Sequence, residues 1–387
     1  MTEYRHISVA VPMLDELENI PRLLQTLCNQ TFKNFSLYVC VNQPDDWAFC
    51  AEGDWRRSAF DNNQQSLRLL EDYKDLDIRR IDRSSPGLGW KGKHSGVGWA
   101  RKVLFEQIIC DSDDTELIVS LDADTILSED YLKEVLKAFN VNPSVYAIAS
   151  PYYHHLSGSD NLDRLLLRYE CYMRHYLINL LKINNPYAFT ALGSAMAFPL
   201  WAYKRVGGIT PLQAGEDFYL MQKFAKTGRI LLDGVPCVYP QGRISQRVPF
   251  GTGPALSLSM QEMDKRYPLW DASTFVPVDA TFALFPELFE LDVETPMTSF
   301  LQQQLKTDDL WGPLRRNFKQ QDLFVRACQQ KVDGLRIQQF LKSQGYPSVN
   351  VGVDFSKAGI NDLCDYREKL YREEMSLRAK QHLVGCG

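Results

Sequence analysis

The chain has 387 residues, 45% of them hydrophobic and 24% charged, with a formal net charge of −5. This is the balance of a soluble globular protein, long enough for two or three domains or for one large domain with an appendage. It offers no basic face or tail for nucleic acid, and its nine scattered cysteines, with no Cys-x-x-Cys pair, argue against a zinc site or a disulfide framework and for reduced thiols in a cytosol.

The amino terminus mixes charged residues with strand-like Ile7-Ser8-Val9-Ala10-Val11 and does not read as a signal peptide. A helix is predicted over 15–29 from Leu17, Ile20, Leu23, Leu24 and Leu27, with Pro21 near its first turn. Strands follow over 35–41 and 78–81, with a helix through 67–73 between them. A glycine-rich loop over 84–98 then leads into a helix around 100–109. A strand over 117–121, a helix over 128–139 with Ser128 as cap, and a strand over 145–149 complete an alternation typical of a largely parallel sheet covered on both faces. Residues 162–183 carry a broad apolar helical stripe. The uncharged run 183–203 is broken by Asn184, Asn185, Pro186, Gly193 and Pro199, so it reads as buried strand and loop rather than a membrane span. Beyond residue 253 the pattern is helical, notably over 314–341 and 360–383. The expected organisation is therefore an α/β domain over 1–253 and a helical region over 254–387.

The most informative stretch is Ile118-Val119-Ser120-Leu121-Asp122-Ala123-Asp124-Thr125. A buried strand ending in Asp-x-Asp brings two carboxylates to the carboxyl edge of a sheet, where open α/β folds place ligands. Such neighbours repel unless something positive lies between them, usually a hard divalent cation carrying phosphate oxygens. Two further landmarks bracket the pair. Before it stand Ser8 to Pro12, Asp15-Glu16-Leu17-Glu18-Asn19-Ile20 and Asn29-Gln30-Thr31-Phe32. After it stand Gly207-Gly208 and Gly215-Glu216-Asp217, which open the helical run 218–225.

Taken in this order, the landmarks resemble a family 2 glycosyltransferase with the GT-A nucleotide-sugar fold, over roughly residues 7–234. The resemblance implies a nucleotide-diphosphate sugar as donor and a hydroxyl-bearing acceptor, whether glycan, lipid-linked or small molecule. It implies Mg²⁺ or Mn²⁺ held by Asp122 and Asp124, with Asp124 favoured as the direct ligand. In the inverting members the aspartate of the Glu-Asp pair takes the acceptor's proton, which assigns Asp217 as base with Glu216 as the nearby alternative. Pro12, Asp15, Glu16 and Ala123 fall in the donor-binding segments.

The chain also departs from the pattern. Val41 stands where the family commonly has a base-reading Asp, leaving Asn42 or Asp82 to face the base. Ala100-Arg101-Lys102 replaces Ala-Arg-Asn, with Arg101 able to grip a diphosphate or a carboxylate. Lys91 and Lys93 read as solvated. Many relatives of this kind add a third metal ligand, often His, after the base region. The only His beyond Asp217 is His382, so either fewer protein groups hold the metal or cationic side chains share its task, and at least one of Arg243 and Arg247 is expected to meet the diphosphate or an anionic acceptor. On the acceptor side the small-residue stretch 191–197 and His154 or His155 are candidates, whereas the helix bearing Tyr169, Glu170, Tyr172 and Arg174 reads as core.

Two other readings compete: a GT-A scaffold that binds nucleotide or glycan without chemistry, and a haloacid-dehalogenase-like phosphatase. The second lacks the usual Gly before Thr125 and has a whole strand-helix half ahead of the motif. The expected setting is cytoplasmic, without a membrane span and with peripheral contact at the inner membrane face left open.

Overall fold

The computed structural model describes residues 3–244, 251–345 and 348–387. Eight strands form one sheet in the order β10-β8-β6-β7-β4-β1-β2-β3. They are β1 (Ile7–Met13), β2 (Phe35–Asn42), β3 (Ile78–Arg83), β4 (Leu117–Ser120), β6 (Ala147–Ala149), β7 (Met196–Pro199), β8 (Ile230–Leu231) and β10 (Leu383–Val384). A separate antiparallel pair joins β5 (Ile126–Leu127) to β9 (Val238–Tyr239). β1 lies parallel to β2 and β4, β2 to β3, and β6 to β8, while β7 runs antiparallel between β4 and β6. This is the mixed, mainly parallel sheet flanked by helices that the alternation predicts.

The near-continuous apolar runs of β1, β2 and β4 are explained by burial on both faces. Ala10, Tyr38, Cys40 and Ile118 point into one hydrophobic cluster, and Val9, Val11, Leu37, Val39 and Val119 into the other. The helices of the first part are α1 (Ile20–Cys28), α2 (Trp55–Asp72), α3 (Val97–Asp111), α4 (Tyr131–Val141), α5 (Asp160–Lys182), α6 (Leu200–Arg205) and α7 (Glu216–Thr227). α1 starts later than its apolar spacing suggests. Residues 15–19 form a turn in which Asp15 adopts φ 57°, and Pro21 sits in the first helical turn. Ser128 does not cap α4: Asp130 occupies that position, and Ser128 instead accepts from Tyr131 N–H and Gln30 Nε2 through its carbonyl.

The remaining chain is helical: α8 (Thr252–Ala255), α9 (Met260–Arg266), α10 (Val276–Ala283), α11 (Thr298–Leu305), α12 (Gly312–Asn317), α13 (Gln321–Lys331), α14 (Gly334–Ser343) and α15 (Ile360–Lys380). Trp270, Phe275, Phe324, Phe340 and Leu370 join the same cluster as Leu104, Leu166 and Phe224. β10 then pairs with β8 at the sheet edge, a strand that two residues, Leu383 and Val384, are too few to announce in sequence. Among the described residues no helix is long and apolar enough to cross a membrane.

α15 lies along α5, and the two are joined by buried ions. Glu170 takes His154 Nδ1 at 2.9 Å and Arg174 at 2.7 Å, and Arg174 also bonds Glu374, which takes Arg378 at 2.8 Å. Burial alone would raise the Glu170 pKa, but Arg174, His154 and Arg367 outweigh it and hold the carboxyl at about 2. Glu170 and Arg174 are therefore core residues, as the sequence reading has them.

Candidate active site

At the carboxyl ends of β1, β2 and β4 the chain encloses a cavity of about 750 Å³. This is the crevice that strand direction creates in an open α/β sheet. Of the residues singled out from sequence, Pro12, Glu16, Asn42, Arg101, Asp122, Ala123, Asp124, Glu216, Asp217 and Arg243 all line it. Asp15 and Asp82 are not among the lining residues. Asp15 is held in its turn by a 2.8 Å bond from its N–H to Asn63 Oδ1. The Asp82 carboxylate accepts from Ser84 and Ser85 N–H at 2.8 and 2.9 Å and so ties the turn after β3. Arg247 lies outside the described residues.

Arg101, on α3, is 3% exposed and bonds two carboxylates: Asp122 Oδ1 at 2.5 Å and Glu216 Oε1. Its planar fork thus joins the loop after β4 to the first residue of α7. It is engaged with carboxylates, the second of the two partners its chemistry suggests. The fork lies across Gly193, whose carbonyl is pinned to β4 by Ser120 Oγ at 2.7 Å. α7 itself starts from Gly215, whose φ of 75° suits a residue without Cβ.

Asp217 follows directly. It is only partly buried, because it lines the cavity. Burial and then the charge of Glu216 push its pKa up to about 7, against the pull of Arg101. A carboxyl that titrates near neutrality is suited to exchanging a proton with a substrate.

Arg243 forms the second cationic bridge. It bonds Glu16 Oε1 and places Nε 3.4 Å from Asp124 Oδ2, joining the turn after β1 to the Asp-x-Asp loop. The Asn42 amide is largely occupied: Nδ2 donates to Met13 O at 2.8 Å and Oδ1 accepts from Trp90 Nε1 at 3.0 Å.

No group of three or more His, Cys, Asp or Glu side chains is gathered for a metal among the described residues. Two carboxylates on one turn, both lining the cavity, make an oxygen-only donor set. Such a set fits a hard cation that arrives with a diphosphate and waters to complete its shell, and does not fit a metal held by protein alone.

Of the acceptor-side candidates, Ala191 to Ser194 and His154 line the cavity, and His155 instead faces the Tyr239 ring at 5.6 Å. Sequence reasoning missed the far end of the cavity. Tyr169, Tyr172, Met173 and Tyr176 of α5 border it, together with Tyr267, Leu335, Gln338 and Lys342 from the C-terminal region. The signal on α5 was present in the tyrosine spacing but is the same as that of a core stripe. Nothing in the tail sequence points to a site.

The family model described as glycosyl transferase family group 2 matches residues 117–263. A hyaluronan synthase of Streptococcus pyogenes is 25% identical over 168 residues, covering 43% of this chain and 33% of the relative. The hyaluronan synthase of S. pyogenes serotype M1 gives the same figures. The match therefore spans about a third of the length of these curated relatives. Among solved structures, S. aureus TarS 1-349 in complex with UDP-GlcNAc aligns over 97% of this chain and 91% of its own, with 13% identity and a TM-score of 0.43. The mannosyltransferase PcManGT from Pyrobaculum calidifontis, in complex with GDP-Man and Mn²⁺, aligns over 96% and 84%, with 14% identity and a TM-score of 0.34. The family-matched stretch is the one that supplies Asp122, Asp124, Glu216, Asp217 and Arg243 to the cavity, and over it the chain is similar to glycosyl transferases of family group 2.

Proposed function

We propose that the protein transfers a sugar from a nucleotide-diphosphate donor to a hydroxyl acceptor, with inversion at the anomeric carbon and Asp217 as general base. The observation that carries this reading is that Asp217, with its pKa near 7, shares one cavity with the Asp122–Asp124 pair. Asp217 takes the proton of the acceptor hydroxyl as its oxygen bonds the anomeric carbon. The bond from that carbon to the diphosphate oxygen breaks, and the diphosphate leaves with the electron pair. Mg²⁺ or Mn²⁺, bound by Asp122 and Asp124, would supply Lewis-acid neutralisation of that leaving group. Arg101 holds Asp122 and Glu216 in register, Arg243 holds Glu16 and Asp124, and Pro12 and Asn42, which line the same cavity, are assigned to the donor. Arg247 is assigned to the diphosphate on the sequence pattern alone. The nine free cysteines support a reducing, cytoplasmic setting.

The test is a thermal-shift and turnover panel of UDP-, GDP-, dTDP- and CDP-sugars, each with and without Mn²⁺. A donor at a hundred times its dissociation constant stabilises the fold by about 2.7 kcal/mol. One nucleotide is expected to do so, and release of its diphosphate is expected to disappear in Asp217→Asn. No shift with any nucleotide, or full turnover in Asp217→Asn, overturns the reading and returns weight to a non-catalytic scaffold.

A further inference from the structure

Two helices more than 150 residues apart in the chain, α5 (Asp160–Lys182) and α14 (Gly334–Ser343), each present one face to the cavity. On α5 the lining residues are Tyr169, Tyr172, Met173 and Tyr176, and on α14 they are Leu335, Gln338 and Lys342. Both sets follow the three-and-four spacing of a single helix face. Burial raises the Tyr172 pKa to about 12 and the Gln338 side chain beside its hydroxyl pulls it down, so the two faces meet at this pair. Tyr267 closes the group, with ring centroids 5.0 Å from Tyr169 and 5.1 Å from Tyr172.

This end is keyed to the proposed base. Asp333 caps α14 by accepting from Arg336 N–H at 3.1 Å, and the same carboxylate takes Gln222 Nε2 at 3.1 Å and Lys226 Nζ at 2.5 Å from α7, the helix that begins at Glu216. Gln222 Oε1 in turn accepts from Leu335 N–H at 3.1 Å. Tyr169 also lies within reach of the Asp217 charge, which adds to burial and to Tyr267 and Tyr172 in raising its pKa.

We propose that this tyrosine-rich end, completed by α14, is the acceptor subsite and takes a pyranose ring of a carbohydrate acceptor. The proposal rests on the transferase reading above. Its chemistry follows from the lining. A pyranose has an apolar C–H face and a rim of hydroxyls, and a tyrosine has an apolar ring with a polar tip. Four tyrosines and one amide supply both faces and hydrogen-bonding groups. An aliphatic lipid chain would instead call for leucine- and isoleucine-type walls without buried hydroxyls. The C-terminal helices thereby take part in substrate choice, fixed to the base helix through Asp333.

Saturation-transfer NMR on the full chain tests this, with methyl glycosides of common hexoses and N-acetylhexosamines as probes and thermal shifts with UDP, GDP, dTDP and CDP run in parallel. At least one pyranoside is expected to receive saturation on its ring C–H protons. Its affinity should fall about three- to tenfold in Tyr267→Ala and survive in Tyr267→Phe, which keeps the ring face. Gln338→Ala should weaken it while leaving nucleotide shifts intact, and serves as the second variant if Tyr267→Ala does not fold. Nucleotide binding without any pyranoside binding overturns the subsite alone. So does unchanged pyranoside affinity in the variants, or a soluble prenyl phosphate binding in place of the sugars. Pyranoside binding that responds to the variants without any nucleotide binding leaves the carbohydrate site standing and overturns the transferase reading. Neither binding overturns both.

Discussion

The Arg101 guanidinium packs so closely over Gly193 that a Cβ on residue 193 would lie 1.9 Å from Nη2. Glycine is the side chain that permits this approach, and the approach aims the fork at Asp122 and Glu216. Gly193→Ala must push the guanidinium away and leave Glu216, which is 1% exposed, without its cation. The expected outcome is a destabilisation of about 1–3 kcal/mol from overpacking, with turnover falling by at least about tenfold. Urea unfolding and nucleoside-diphosphate release measure the two effects. Wild-type turnover in Gly193→Ala would show that Arg101 does not organise the site.

Asp217 yields a prediction with opposite signs for activity and stability. Its pKa of about 7 stands above the ordinary 3.8, so the folded protein keeps a proton that the unfolded chain loses as pH rises from about 4 to about 7. Stability therefore declines across that window and the penalty is full above it, while the ionised base, and with it turnover, appears as pH passes 7. Asp217→Asn should lose roughly 10²–10⁴-fold in turnover. It should also be more stable than the wild type at pH 8 and nearly equal at pH 4. Denaturation curves of both proteins at the two pH values decide this, and a variant no more stable at pH 8 would contradict the raised pKa.

How much of this was legible in the sequence depended on whether a residue's neighbours were close along the chain. Asp122 and Asp124 could be placed because an apolar strand immediately precedes them, and Asp217 because glycine and a helical run flank it. Arg101 was identified, but its partners were not, since Asp122 and Glu216 lie 21 and 115 residues away. Asp82 shows the converse error: a carboxylate at a strand end looks ligand-facing, yet it ties its own turn two and three residues on. Gln338 and Tyr267 carried no signal, because only the packing of α14 and the chain after α9 against α5 brings them to the cavity. The stripe of tyrosines on α5 was correctly read as buried, but periodicity cannot tell a core face from a cavity wall.

The buried ions between α5 and α15 predict a stability effect separate from chemistry. Arg174 and Glu374 are both fully buried; removing Glu374 takes from Arg378 the carboxylate it bonds and leaves Arg174 with Glu170 alone, while removing Arg174 leaves Glu374 with Arg378 alone. Glu374→Ala should cost about 3–5 kcal/mol, whereas removing Arg174 together with it should cost less than the sum of the two single losses. A double-mutant cycle in urea measures the coupling. Additive losses from the two single substitutions would mean that the charges do not sense one another.

Arg243 bears on how metal enters. Its guanidinium already neutralises Glu16 and Asp124, so Mn²⁺ alone gains little by displacing it. A diphosphate changes that balance by supplying further oxygens to the cation and acceptors to the arginine. In the wild type, Mn²⁺ without nucleotide should therefore leave the melting temperature almost unchanged, and Mn²⁺ with the cognate nucleotide should raise it. Arg243→Ala removes this cation from between Glu16 and Asp124. This variant should melt lower than the wild type, and Mn²⁺ alone should restore part of the loss. Asp124→Ala should lose the metal-dependent increment while keeping any stabilisation by nucleotide alone, and EDTA should bring the wild type to the same level. If Mn²⁺ alone stabilised the wild type as much as Arg243→Ala, the arginine would not be competing for the same carboxylates.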